Sequence, residues 1–231
     1  MLLNANIAQN ITRQYSEKTD DLKRTFAQAY TNYCSDVRAI WIANEAEAYL
    51  EKIKEILSDL FLNSYNFARA TSDVVIEATN NYFTENERIG ESLGNSESYT
   101  RAQSQFGADA NIILEFAKKT FGLDDSIGLV EGQESALISV TETFLNAILT
   151  GVNNYKEIDV AGYLTGETMT SFENFVNEIN SHLENFATEV KGELDKYLPQ
   201  LSDSISKVVS NFADNIETAR SNAAQAAVSA N

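Results

Sequence analysis

The chain has 231 residues, 43% apolar and 10% aromatic, with 34 Asp plus Glu against 17 Lys plus Arg and a formal net charge of −17. That composition is globular rather than disordered, and the length suffices for one large domain or two small ones. An acid excess spread along the chain repels phosphate backbones and anionic lipid heads, which argues against nucleic acid as a partner.

One Pro and ten Gly leave few breaks, so long elements are expected. Cys34 is the only cysteine, so no internal disulfide can form, and it is expected as a small buried hydrophobe. The start, Met1-Leu2-Leu3-Asn4-Ala5-Asn6, has neither the basic nor the long apolar region of a cleavable leader. No apolar run approaches the ~18 residues of a membrane span. The expectation is a chain made in the cytoplasm and secreted by a route that reads no cleaved leader; cytoplasmic residence is the alternative.

Apolar spacing is helical almost throughout. A first stripe runs Ile11, Tyr15, Leu22, Phe26, Tyr30, Tyr33, Val37 and Ile40. A second runs Ala46, Leu50, Ile53, Leu57, Leu60, Ser64, Phe67, Thr71, Val74, Ala78 and Tyr82. Steps of three, four or seven place each set on one helix face. Between them lies Ile40-Trp41-Ile42-Ala43-Asn44, where Asn44 followed by Glu47 fits a helix start with a side-chain cap. Two long amphipathic helices with a tight connection make an antiparallel hairpin, each stripe burying the other.

Residues 84–98, with Gly90, Gly94 and several Ser and Asn, mark a boundary. A third helix is expected over about Tyr99–Phe121 and a fourth through Ala136, Val140, Phe144, Leu145, Ile148, Val152 and Tyr155, ending near Gly162 and Gly166. Asn80-Asn81-Tyr82 and Asn153-Asn154-Tyr155 form a faint internal repeat, each closing a helix. The last third carries an apolar stripe from Phe172 to Ala219 with a mean step of about 3.6, the straight-helix period. Pro199 either kinks this helix or separates two, and residues 221–231 are expected to fray.

The fold class is therefore all-α: elongated antiparallel helical hairpins or a bundle of long amphipathic helices. The expected units are a hairpin over 1–90, a second helical unit over 91–165, and a long helix or helix pair over 166–231.

Catalytic chemistry finds little footing. His182 is the only histidine, expected on an exposed helix face, and nothing places it beside a Ser or Cys34 as a nucleophilic site requires. One His and one Cys do not make a zinc site, and neither calcium-loop spacing nor a glycine-rich phosphate loop occurs. Acidic pairs such as Glu45 with Glu47 and Asp124 with Asp125 are expected to be solvated helix faces. No enzyme activity and no cofactor are expected. Trp41, the only tryptophan, is either a hydrophobic plug at the turn or a recognition determinant.

A helix, Trp41-Ile42-Ala43 and a long second helix resemble the WxG-type (early-secreted-antigen-like) helical hairpins exported by type VII (Esx) secretion systems. Ala43 stands where that family has Gly; the replacement is tolerable if its φ stays negative. The family's Tyr-x-x-x-Asp/Glu feature is missing at Tyr82, where Asn86 stands in the acid position, and present as Tyr155-Lys156-Glu157-Ile158-Asp159. If that stretch is helical, Tyr155 and Asp159 share a face. The resemblance covers residues 8–88, more loosely 100–162. It implies a non-enzymatic secreted substrate or targeting partner, with Trp41, Ala43, Tyr155 and Asp159 as export or recognition residues. It also implies a secretion ATPase and a partner helical protein, or a second copy in a dimer, as partners.

Two other readings compete. The stripe over 172–219 suits a membrane-active or lipid-binding amphipathic helix, although an acidic polar face binds anionic lipid poorly. A structural or adaptor bundle is the other, and a period near 3.6 argues against a long left-handed coiled coil.

Overall fold

The computed structural model describes residues 4–95, 98–122, 128–130, 133–158, 160, 170, 174, 177–178, 181–182, 184–199, 214 and 218. The chain is mostly helical: α1 spans Ala5–Ile40 (36 residues), α2 Asn44–Ser92 (49 residues) and α3 Glu134–Asn153 (20 residues). Every described position from 170 to 199 is helical, continuously over 184–199, the run called α4 here. Among the described residues the departure from all-α is a pair of two-residue strands, β1 (Trp41–Ile42) and β2 (Gly128–Leu129), antiparallel with Trp41 opposite Leu129.

Helix α1 starts at Asn4, whose side chain accepts from the Asn6 N–H at 2.8 Å. All eight residues of the first stripe are buried. Late α1 meets early α2 and early α1 meets late α2: the Tyr33 and Tyr49 hydroxyls are 2.7 Å apart, Phe26 packs edge-on to Phe61, and Tyr15 packs edge-on to Phe67. Helix α3 lies on α1, with the Phe144 ring stacked on Tyr33 at 4.4 Å and the Thr141 hydroxyl 2.7 Å from the Tyr33 hydroxyl. One apolar core joins Ile11, Phe26, Val37, Leu57, Ile148 and Val190. Toward the α1 N-terminus it becomes hydroxyl-rich: Thr12, Thr19, Ser64, Thr71, Ser72 and Thr79 are buried. Thr19, Thr71, Ser72 and Thr79 donate to the carbonyl four residues back, which satisfies their hydroxyl protons within their own helices.

The second stripe holds only as far as Thr71. Beyond it Ser72, Val75, Thr79 and Phe83 are buried, while Val74 and Ala78 are half-buried and Tyr82 is exposed. Neighbouring apolar pairs (Val74 with Val75, Tyr82 with Phe83) offer two registers, and a step of four from Thr71 selects the second. The helix also runs on through Gly90 to Ser92, so Asn80-Asn81-Tyr82 lies inside α2 whereas Asn153-Asn154-Tyr155 does close α3. The two copies are not equivalent, and the internal repeat is not structural.

The expected helix over Tyr99–Phe121 does not form. Described residues 98–122 contain no helix and instead lie as a strap along α1 and α2. Contacts progress from Arg101 with Glu87, through Phe106 with Tyr65 and Phe116 with Tyr30, to Phe121 with Asn44. From Glu87 to Asn44 the helix rises roughly 65 Å at ~1.5 Å per residue. Covering that distance between Tyr99 and Phe121 takes about 3 Å per residue, near the extended-chain limit. From 106 to 116 burial alternates: Phe106, Ala108, Ala110, Ile112, Leu114 and Phe116 are buried or half-buried, and every odd position is exposed. That is strand periodicity, with side chains on alternate faces. Gly107 disfavours helix, and Ser104 and Asp109 bond the backbone N–H two residues on, a local alternative to helical pairing.

The Phe172–Ala219 stripe is described in part: Phe186, Val190 and Leu194 are buried. Pro199 is the last residue of the described run; the chain immediately beyond it, the Gly162 and Gly166 breaks and residues 221–231 lie outside the described residues.

Candidate recognition site

Three residues connect the two longest helices. Trp41 caps α1 with φ −122° and ψ 104°, and Ala43 caps α2 with φ −161° and ψ 157°, extended backbone that any L-residue adopts. Ala at 43 is therefore unstrained without the freedom of glycine. Trp41 is 1% exposed and packs against Tyr49 at 6.0 Å and against Tyr197 of α4 at 6.1 Å. Its backbone pairs with Leu129, and the Val130 N–H donates to the Ile40 carbonyl at 3.0 Å. The ring is thus a plug that ties the turn to α4, while the backbone ties it to β2. Its indole N–H has no hydrogen-bond acceptor among the described residues.

Asn44 is not the cap of α2. It is the first helical residue, and its side-chain amide grips the strap, accepting from the Phe121 N–H at 3.0 Å and donating to the Phe121 carbonyl at 3.4 Å. Glu47 is not a solvated acid either. It is fully buried and receives two bonds from Arg38 at 2.7 Å and one from the Lys119 N–H at 2.9 Å. Burial raises its carboxyl, but the Arg38 guanidinium and the Lys119 N–H outweigh that and hold it below the usual carboxylate range. Arg38 also donates to the Ala117 carbonyl and sits over the Phe116 ring. This node joins α1, α2 and the strap. Its signal in the sequence was weak: a Glu at the fourth helical position and an Arg in the last turn of α1 are ordinary on charged helices.

Tyr155 is not presented to solvent. It is 4% exposed, its hydroxyl is 2.7 Å from Thr19 Oγ1, and its ring lies about 6 Å from those of Tyr15 and Phe67. Residues 154–157 form a 3-10 turn, and Ile158 leaves it with extended backbone (φ −81°, ψ 109°). No α-helical face therefore continues from Tyr155 toward Asp159, which lies outside the described residues. Trp41 and Tyr155 are also far apart: Thr19, the partner of Tyr155, precedes Trp41 by 22 residues of helix, roughly 33 Å at ~1.5 Å per residue. Among the described recognition residues, Trp41 and Ala43 share the turn and Tyr155 lies apart from them.

Cys34 is buried, and burial raises its thiol pKa, so it is not poised as a thiolate. His182 is partly exposed, 3.8 Å from Glu178, and borders an open groove of about 240 Å³ with Asp59, Asn63 and Glu189. Among the described residues no group of three His, Cys, Asp or Glu side chains is placed to hold a metal ion. Comparison with protein-family models, with curated proteins and with solved structures gives no match.

Proposed function

We propose that the protein is a non-enzymatic recognition protein of the kind exported by type VII secretion systems, built on an α1–α2 helical hairpin. The observation that carries this reading is the joint itself: two helices of 36 and 49 residues connected through Trp41-Ile42-Ala43, with the indole buried in the turn. In this reading Trp41 and Ala43 act by fixing the shape of the tip, and the secretion ATPase reads that shape and, at a separate place, the chain around Tyr155 and Asp159. Partner contact falls to surfaces that the internal core leaves free. Tyr82, Ile89, Leu93 and Tyr99, each at least 38% exposed, surround the far end of α2 and suit a partner helical protein or a second copy.

The test is the secreted fraction in a host with an intact type VII system and in the same host lacking its ATPase. Export that depends on the ATPase is expected. A parent chain that stays in the cells, or leaves equally without the ATPase, sinks the reading. Because Trp41 and Tyr155 are buried, Trp41→Phe, Tyr155→Phe and Asp159→Asn are the informative variants, each checked for unchanged helicity.

One observation favours a second, membrane-active reading. The stretch Ser135–Asn153 in α3 is long and apolar enough to cross a membrane by length and composition, with mean hydropathy 1.3 and 33% of it buried. Leakage of dye-loaded vesicles at submicromolar protein, at neutral or acid pH, would favour it; intact vesicles would remove it.

A further inference from the structure

The strap is held chiefly through its backbone. Asn80 accepts from the Ala102 N–H at 2.8 Å and donates to its carbonyl at 3.0 Å, and Asn44 does the same for Phe121. Glu87 accepts from the Tyr99 N–H, Ser16 from the Gly107 N–H and Glu47 from the Lys119 N–H, while Arg38 donates to the Ala117 carbonyl. Side chains of two helices thus do for an extended chain what a neighbouring strand does in a sheet. Bonds to backbone do not depend on the sequence of the bound segment; the inward residues supply the selectivity. The charges are complementary as well: Arg101 and Lys118 pair with Glu87 and Glu51 on a chain of net −17.

The strap is not needed to keep the helices together. Helices α1, α2 and α3 contact one another directly through Tyr33, Tyr49 and Thr141. The connection from Ser92 to Glu134 has a contour of roughly 135 Å at ~3.3 Å per residue, against the roughly 65 Å it must cover. The strap can leave its groove while both ends stay attached.

We propose that the α1–α2 groove is a docking site for extended polypeptide, filled in cis by residues 98–122 and open in trans to a competing segment. The ligand class is an extended peptide with apolar side chains at alternate positions over about eleven residues and basic residues in its flanks, as Arg101, Lys118 and Lys119 flank Phe106–Phe116. The inference goes beyond the export reading and does not rest on it.

The probe is a fluorescein-labelled peptide with the sequence of residues 99–122, which carries the Ala102 and Phe121 backbone that Asn80 and Asn44 bind, titrated by anisotropy against the full chain. In a Phe106→Ala/Leu114→Ala/Phe116→Ala variant the strap competes less, so the peptide binds about tenfold or more tighter than to the parent, where the tethered strap acts at high effective concentration. Adding Asn44→Ala and Asn80→Ala removes that gain, as does scrambling the peptide to break its alternation. Equal binding to parent and strap variant, or binding indifferent to the asparagines or to scrambling, overturns the proposal. Should the triple variant lose its helicity, amide exchange in the unmodified chain decides. The Ala102, Gly107, Lys119 and Phe121 amides should exchange about a hundredfold or more faster than the buried turns of α1 and α2, through local opening. Exchange of both sets only by global unfolding overturns the proposal equally.

Discussion

Trp41 fills the turn with its ring but leaves its N–H without an acceptor among the described residues. A buried unpaired N–H costs about 1–3 kcal/mol, so the residue is retained for its bulk. Trp41→Ala is expected to lower unfolding free energy by about 3–5 kcal/mol, the usual cost of deleting a large buried aromatic. Trp41→Phe keeps an aromatic ring against Tyr49 and Tyr197 and removes the orphan donor, and should cost less than half as much. Chemical denaturation of the two variants checks this; equal losses would mean that the N–H has a partner.

At the scale of elements, the close approach of α3 to α1 depends on Gly151. A Cβ there would lie 2.9 Å from Leu22 Cδ1 and 3.3 Å from Thr25 Cγ2, both on the packed face of α1. Gly151→Val is expected to destabilise by about 1–3 kcal/mol through overpacking. Gly192 on α4 has nothing within 4 Å of a Cβ, so Gly192→Ala should stabilise by about 0.5–1 kcal/mol through helix propensity. Thermal melts of the pair separate packing from propensity.

The helices that could be read from the sequence are those whose apolar residues recur without rivals. The α1 stripe had one register; the end of α2 had two, and only packing chose between them. The strap was misread because Ile112, Leu114 and Phe116 also suit a helix in a chain otherwise full of helices. Yet the alternation from Phe106 to Phe116 was present in the sequence. What could not be read locally was that Asn80 and Asn44, 36 residues apart, would each bind strap backbone. The turn was legible at Trp41, but Tyr155 was not: its burial depends on Thr19, 136 positions away.

For the whole molecule, a net charge of −17 makes self-repulsion a general destabilising force at neutral pH. Raising salt from ~0.05 to ~0.5 M should therefore raise the melting temperature. Acid acts in two directions. It relieves the repulsion, but it also protonates Glu47 and Glu87, both held below the usual carboxylate range in the fold, Glu87 by Arg101 and the Tyr99 N–H. A depressed folded-state pKa contributes stability that is present above the ordinary value of about 4.3 and lost as pH falls through the folded one. The strap, gripped near both ends by these carboxylates, is expected to loosen below about pH 4. Amide exchange of Tyr99 and Lys119 against pH measures it, and Glu47→Gln should flatten the acid limb at Lys119 alone.

A single indole buried at the turn and packed against α4 also makes the protein its own optical gauge. Tyr49 and Tyr197 lie about 6 Å from Trp41, near enough to pass excitation to it with almost no loss. Emission from the folded chain should be blue-shifted and largely tyrosine-sensitised. Detachment of α4 alone would admit water to one side of the ring and shift the spectrum to the red before any helical signal falls. The order of those two changes on heating would reveal whether α4 separates from the α1–α2 pair as an independent step.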